Sequence, residues 1–282
     1  MKKALKIVVL AKQVPDTRNV GKDAMTPEGT VNRAALPAIF NPEDLNALEM
    51  ALALKDETEG STVHILTMGP PRAADIIRDA MFRGADGGYL LTDRKFAGAD
   101  TLATSYALSC ALRKIRPDVI VAGRQAIDGD TAQVGPQVAE KLGWPQVTYA
   151  EELLEIKADS LVVKRRLEHG TEIVECPLPL VMTVNGSAPE CRPQNAKRVM
   201  KYKFAQTKSE IAAAPDCMAS AMASAKAYLQ IVELAAADVG SPTKVKKIEN
   251  VVFQAKESKR LTAADADIES LMVELIASHT LG

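Results

Sequence analysis

Residues 118–137 read Asp118-Val-Ile-Val-Ala-Gly-Arg-Gln-Ala-Ile-Asp-Gly-Asp-Thr-Ala-Gln-Val-Gly-Pro-Gln137. The run falls into three parts. Asp118 to Ala122 has the apolar composition of a buried strand. Gly123 to Asp130 is small and polar. From Thr131 to Leu142 the pattern turns helical. Strand, short polar loop and helix together make one βα unit of a parallel sheet. A helix start leaves amide N–H groups without partners, and the helix dipole favours negative charge there, so this junction can bind an anion. Asp130 or Thr131 can serve as the N-cap. The amides of Thr131, Ala132, Gln133 and Val134 then face a phosphate, with Arg124 supplying positive charge. A surface loop with a good cap has the same local pattern, so this run alone leaves both readings open.

The flanking sequence extends the alternation. Strands are expected at 6–11, 61–68, 88–91, 118–122 and 146–150, and helices at 42–56, 72–83, 100–115 and 131–142. That order implies a parallel sheet covered on both faces. The helix at 42 has a clear start: Asn41 as N-cap, Pro42 at the first position, then Glu43 and Asp44. Leu45, Leu48 and Leu52 make its buried stripe. Asn41 and Asp44 fall at the carboxyl edge of the sheet, where open α/β folds bind ligands.

Composition narrows the function classes. Apolar residues make up 47 % of the 282 residues and aromatics only 4 %, so the core must be aliphatic and rich in alanine. A net charge of −1 gives no electrostatic case for nucleic acid or an anionic membrane. Apolar runs are far too short to span a bilayer, and the N-terminus has no cleavage-site pattern, so the reading is a cytoplasmic protein. Cys110, Cys176, Cys191 and Cys217 are widely spaced without a C-x-x-C, which disfavours zinc and iron–sulfur ligation and reads as reduced thiols. His64 sits inside an apolar strand and reads as a satisfied core or ligand-edge residue. No G-x-G-x-x-G follows the first strand and no G-x-x-x-x-G-K-[ST] occurs. A standard dinucleotide site and a P-loop ATPase are both disfavoured. No catalytic triad, carboxylate pair or metal set stands out.

Past residue 150 the pattern changes. Residues 153–157, 160–166, 171–175 and 180–184 are short and β-prone, with turns at Ala158-Asp159 and His169-Gly170, and read as an antiparallel extension. Lys164, Arg165 and Arg166 read as its solvated face. Residues 211–239 are rich in alanine and methionine and read as one amphipathic helix, and Thr262 to Ser278 as a last one. The expected division is a nucleotide-binding domain with its extension at 1–205 and a C-terminal helical arm at 206–282.

Several stretches share one resemblance. The loop G-R-Q-A-I-D-G-D-T-A-Q from Gly123 to Gln133 resembles the nucleotide loop of the electron transfer flavoprotein β subunit. Lys6 to Asp16 resembles that family's first strand and loop. Met81 to Asp86 with Leu90 to Asp93 resembles its third strand region. Val163 to Thr183, carrying Arg165, Glu168, Glu172 and Pro179-Leu-Val-Met-Thr183, resembles its signature segment, although His169 departs from the usual acidic residue or glycine. The match covers roughly residues 4–205 and resumes at 240–245.

This resemblance implies a doubly wound, mostly parallel sheet like that of the adenine-nucleotide α-hydrolases, with a partner α subunit that holds one FAD. It also implies that the β chain holds either AMP or a second FAD, and is not active alone. Residues 26–44, with Gly29-Thr-Val-Asn-Arg33 and Asn41-Pro-Glu-Asp44, resemble the electron-bifurcating members, whereas AMP-binding members usually lack the Asn-Arg. On that reading the cofactor is FAD, NADH is the electron donor, and the acceptors are ferredoxin or flavodoxin and a partner dehydrogenase of the acyl-CoA or lactate type. The implied cofactor residues begin with Leu10 and Lys12 at the first strand edge and Arg33, a cation near the flavin or at the subunit contact. Asn41 and Asp44 approach ribose or adenine, and Met68 and Gly69 lie along the nucleotide. Gly123, Arg124, Gln125, Ala126, Ile127, Asp128, Gly129, Asp130, Thr131, Ala132, Gln133 and Val134 wrap the adenosine and phosphates. Asp128 cannot sit unscreened beside a diphosphate, so Asp128 and Asp130 are assigned to caps or ribose hydroxyls, and main-chain amides to the phosphate. An AMP-binding, non-bifurcating β subunit is the alternative. A stand-alone nucleotide sensor resembling universal stress proteins and an ATP-using ligase of the same fold class are more distant ones.

Overall fold

β1 (Lys6–Leu10) shows how this chain builds its centre. Successive side chains of a strand point to opposite faces. Ile7 and Val9 enter one hydrophobic core and Val8 and Leu10 the other, so the strand is buried on both sides. The structure, a computed structural model, describes residues 3–16, 37–212 and 231–235, with Ile268 and Val273 beyond them. One compact unit runs from Met1 to Val245 and a second from Lys246 to Gly282.

In the first unit, β1 is joined by β4 (Thr62–Met68), β5 (Gly87–Leu91), β6 (Val119–Gly123), β7 (Gln146–Ile156), β8 (Ser160–Leu167), β9 (Gly170–Pro177), β10 (Leu180–Val184) and β11 (Ile231–Leu234). The order across this sheet is β11-β5-β4-β1-β6-β10-β7-β8-β9. Strands β11 to β7 in that order are parallel, and β8 and β9 add antiparallel edges. β2 (Gln13–Pro15) and β3 (Ala38–Phe40) form a small antiparallel pair just past β1. Helices α1 (Pro42–Asp56), α2 (Ala74–Arg83) and α5 (Ala196–Tyr202) pack into one core, and α3 (Thr101–Ile115) and α4 (Val134–Leu142) into the other. α6 (Lys208–Ala212) is a single short turn. No described helix is long and apolar enough to cross a membrane.

The parallel α/β sheet with an antiparallel extension is thus as expected, but four local readings change. First, 146–150 and 153–157 are one continuous strand, β7. Its pairing with β8 shifts register between Ala150 and Glu152, and Glu151 Oε1 accepts hydrogen bonds from Arg166 Nε (2.8 Å), Arg166 Nη2 (2.6 Å) and Ser187 Oγ (2.7 Å). Second, β10 is not part of the antiparallel extension. All five of its residues are buried, and it lies parallel between β6 and β7. Third, Ile231 to Leu234 is strand, not helix, and pairs with β5. Fourth, α4 begins at Val134, not at 131, with Gln133 at the cap position and no side-chain cap. Residues 213–230 and most of the expected helix at 262–278 lie outside the described residues; Ile268 and Val273 are helical and exposed.

Lys164, Arg165 and Arg166 sit on the extension as read. Arg165 pairs with Glu172, and Lys164 with Glu152. Cys110, Cys176 and Cys191 are free thiols, while Cys217 lies outside the described residues. Burial pushes the Cys191 thiol up to about 11. His64 is not a satisfied core residue: its Nδ1 is buried with no hydrogen-bond partner among the described residues, and burial lowers its pKa.

Candidate nucleotide cleft

β1 is flanked by β4, which follows it in the chain on one side, and by β6 on the other. The strand order reverses at that junction, and the crevice beyond the carboxyl ends of such strands is where open α/β sheets place ligands. A cleft of about 320 Å³ opens there. Leu10, Leu66, Met68, Leu108 and Ala122 give it apolar walls. The β6–α4 loop forms its rim.

That loop is held from beneath by the start of α1, one amide in two. Gly123 N–H donates to Asp44 Oδ1 (3.1 Å), Gln125 N–H to Glu43 Oε2 (3.0 Å) and Ile127 N–H to Asn41 Oδ1 (3.2 Å). Asn41 Nδ2 also donates to the Gln125 carbonyl (2.9 Å). The other oxygen of Asp44 accepts from Lys12 N–H (2.8 Å), so one carboxylate ties the ends of β1 and β6 together. Burial pushes this carboxyl up to about 7, against the hydrogen bonds from Lys12, Asn41 and Gly123.

Glycine at 123 is a packing requirement. A Cβ there would meet the Asp44 carboxylate and stand 2.8 Å from the Asp44 backbone nitrogen. Gly135 serves a similar close approach, since a Cβ would come 2.5 Å from Thr183 Cγ2 on β10.

Between Asp130 and α4 the backbone is bent sharply. Asp130 and Ala132 take φ of 47° and 51°, left-handed values that cost energy for residues with a Cβ. Gln133 returns to right-handed geometry. Such reversals turn successive N–H groups toward one concavity. The amides of residues 131–135 have no acceptor among the described residues, and residue 136 is proline. Gln133 Oε1 accepts from Thr101 Oγ1 (2.8 Å), fixing this turn against α3. Ala132→Gly should relieve the strain and raise stability by about 0.5–1 kcal/mol in urea denaturation. A loss of stability would show that the left-handed turn is absent.

The expected site residues are thus largely gathered. Leu10, Lys12, Asp44 and Met68 line the cleft. So do Gly123, Arg124, Gln125, Ala126, Gly129, Asp130, Thr131, Ala132, Gln133 and Val134. Asn41, Gly69, Ile127 and Asp128 do not border it. Asn41 is fully buried with its amide committed to the loop, and Gly69 donates its N–H to Leu91. Arg33 lies outside the described residues.

Three assigned roles need correction. Neither Asp130 nor Thr131 caps α4; Asp130 Oδ1 accepts from Gln125 Nε2 (2.9 Å). Asp128 caps nothing and pairs with Lys12 Nζ (2.6 Å). Arg124 is not a free cation: its Nη2 donates to Glu43 Oε1 (2.8 Å), and the guanidinium lies 6.0 Å from the Tyr149 ring centre. One wall was missed altogether. Asp100, Thr101 and Thr104, at the start of α3, also border the cleft. An aspartate followed by threonine at 100–101 is a capping signal that could have found it, and Asp100 Oδ1 accepts from Ala103 N–H (2.7 Å).

Comparison with known proteins identifies the family. The family described as "Electron transfer flavoprotein domain" matches residues 28–236. The electron transfer flavoprotein subunit beta of Megasphaera elsdenii is 40% identical over 286 residues, covering 96% of this chain and 100% of its own. The caffeyl-CoA reductase-Etf complex subunit CarD of Acetobacterium woodii is 49% identical over 180 residues, covering 64% of this chain and 68% of its own. The acryloyl-CoA reductase electron transfer subunit gamma of Anaerotignum propionicum is 51% identical over 182 residues, with 64% and 67% covered.

Proposed function

Because this chain belongs to the electron transfer flavoprotein family, as a β subunit, we propose that its cleft holds the adenosine and phosphate end of an FAD. The observation that carries this reading is the run of amides at 131–135 without an acceptor among the described residues, on the rim of an apolar-walled cleft at the strand-order reversal. The residues present fit such a group. The phosphate would be met by those amides, and Leu10, Leu66, Met68 and Ala122 would exclude water from the adenine. Lining carboxylates do not stand bare: Asp44 accepts two backbone N–H groups and Asp130 the Gln125 amide. Asn41, Glu43 and Asp44 act as positioning residues by fixing the loop. When bound, the isoalloxazine supplies the one- and two-electron redox chemistry.

In the reaction class we propose, two electrons from NADH are divided between ferredoxin or flavodoxin and a partner dehydrogenase of the acyl-CoA or lactate type. The chain works as a heterodimer with an electron transfer flavoprotein α subunit. Support for FAD and bifurcation comes from the sequence Gly29-Thr-Val-Asn-Arg33 leading to Asn41-Pro-Glu-Asp44.

One observation favours a second reading. A volume near 320 Å³ is at the low end for small-molecule sites, about 300–1,000 Å³, and suits AMP without a flavin. The complex purified with its α subunit separates the two. Two FAD released per heterodimer on denaturation, with flavin reduction on NADH titration, is the expected result. One FAD plus one AMP, and no reduction by NADH, would establish the AMP-binding, non-bifurcating form.

A further inference from the structure

The charges around the cleft carry one step more, which rests on the nucleotide reading above. Two basic side chains, Lys12 and Arg124, and two carboxylates, Asp100 and Asp130, line it, together with Asp44, whose carboxyl burial pushes up to about 7. Both cations are already matched within the chain. Lys12 Nζ holds both oxygens of Asp128 (2.6 and 2.8 Å), and Arg124 is paired with Glu43. The donors left for a phosphate are therefore neutral backbone amides in acidic surroundings. Amides at a helix start suit a phosphate of low charge. They do not offset the charge of an extended polyphosphate, which P-loop and similar sites meet with lysine and a metal ion.

We propose that this cleft selects against ADP and ATP, and admits a monophosphate or the internal diphosphate of a dinucleotide. An internal diphosphate carries one negative charge per phosphate. ADP and ATP add charge at a terminal phosphate, in a cleft whose lining already carries Asp100 and Asp130. The carboxylates on Lys12 and Arg124 are thus specificity determinants: they keep the site from serving as a sensor of the adenylate pool.

The test uses the full-length chain in complex with its α subunit, stripped of exchangeable nucleotide. A fluorescent etheno-AMP is displaced by AMP, ADP or ATP in the absence of magnesium. Each added phosphate is expected to weaken displacement by roughly three- to ten-fold, from like-charge repulsion at partly screened range. The gap should narrow as salt is raised. Asp128→Asn and Glu43→Gln release Lys12 and Arg124, and each should bring ATP closer to AMP by a factor of similar size. Asp130→Asn, at an exposed position, gives the same readout if either of those variants fails to fold. A steric limit would leave the ATP-to-AMP ratio unmoved by salt and by all three substitutions, and that result overturns the proposal. Equal affinity for AMP and ATP in the unmodified complex overturns it too, while leaving the nucleotide site standing. Failure of etheno-AMP and AMP alike to bind refutes the site itself, and this inference with it.

Discussion

Gly123→Ala is expected to lower stability by about 3 kcal/mol and to empty the cleft of nucleotide. The added methyl has nowhere to go. It would stand 2.8 Å from both the Asp44 nitrogen and the Glu43 carbonyl carbon, which are backbone atoms of the first turn of α1. Relief requires α1 to move away from the end of β6. That movement would break the Gly123, Gln125 and Ile127 amide bonds together, because all three acceptors sit on the same helix start. Urea denaturation of the purified complex measures the first effect and nucleotide content after denaturation the second. A variant within about 1 kcal/mol of the parent would contradict the close approach of α1 to β6.

The second large effect depends on pH. Asp44 is buried, and its carboxyl is raised to about 7 from an ordinary value near 3.8. The folded chain therefore holds this proton more tightly than the unfolded chain does. The stabilisation from this group is fully present below about pH 4 and is lost as the pH rises toward 7, in total on the order of 4 kcal/mol. Glu49 and Glu210 act in the opposite sense. Arg192 and Arg78 hold these carboxyls below their ordinary values, so their contribution is lost as pH falls. A single stability profile would mix these trends, and the Asp44→Asn variant separates them. Stability of the parent minus that of the variant should fall steadily between pH 4.5 and 7.5. A difference that is flat, or that rises with pH, would show Asp44 to be ionised throughout.

Much of this architecture can be read from residues alone. β1, β4, β5 and β6 announce themselves as short apolar runs, and α1 through its proline, acidic first turn and leucine stripe. The misreadings have physical causes. The sequence puts the start of α4 three residues early because Asp130 and Thr131 are good capping residues, yet left-handed φ at Asp130 and Ala132 delays the helix to Val134. β10 reads as part of the hairpins because it is short, β-prone and follows directly on two such strands. Its uninterrupted Leu-Val-Met-Thr-Val was the available signal, since a strand buried on both faces shows no alternation. β11 was hidden by its alanine-rich surroundings, although Ile231-Val232 is a β-branched pair. In the cleft, sequence located the β6–α4 loop but misjudged its charges. The partners of Arg124 and Lys12 lie 81 and 116 residues away, and no local pattern encodes such pairings.

The place of β10 has a consequence for biosynthesis. β6 leaves the ribosome early, but its permanent neighbour on the outer side, residues 180–184, is made only after β7, β8 and β9. At roughly 5–20 residues per second, the growing chain spends seconds with the nascent β6 edge open and a complete hairpin waiting beside it. An unpaired apolar edge is a template for pairing with a foreign strand. During that interval the nascent polypeptide needs a chaperone or a slow encounter rate, and nascent chains arrested before residue 180 should aggregate where those released after 184 do not.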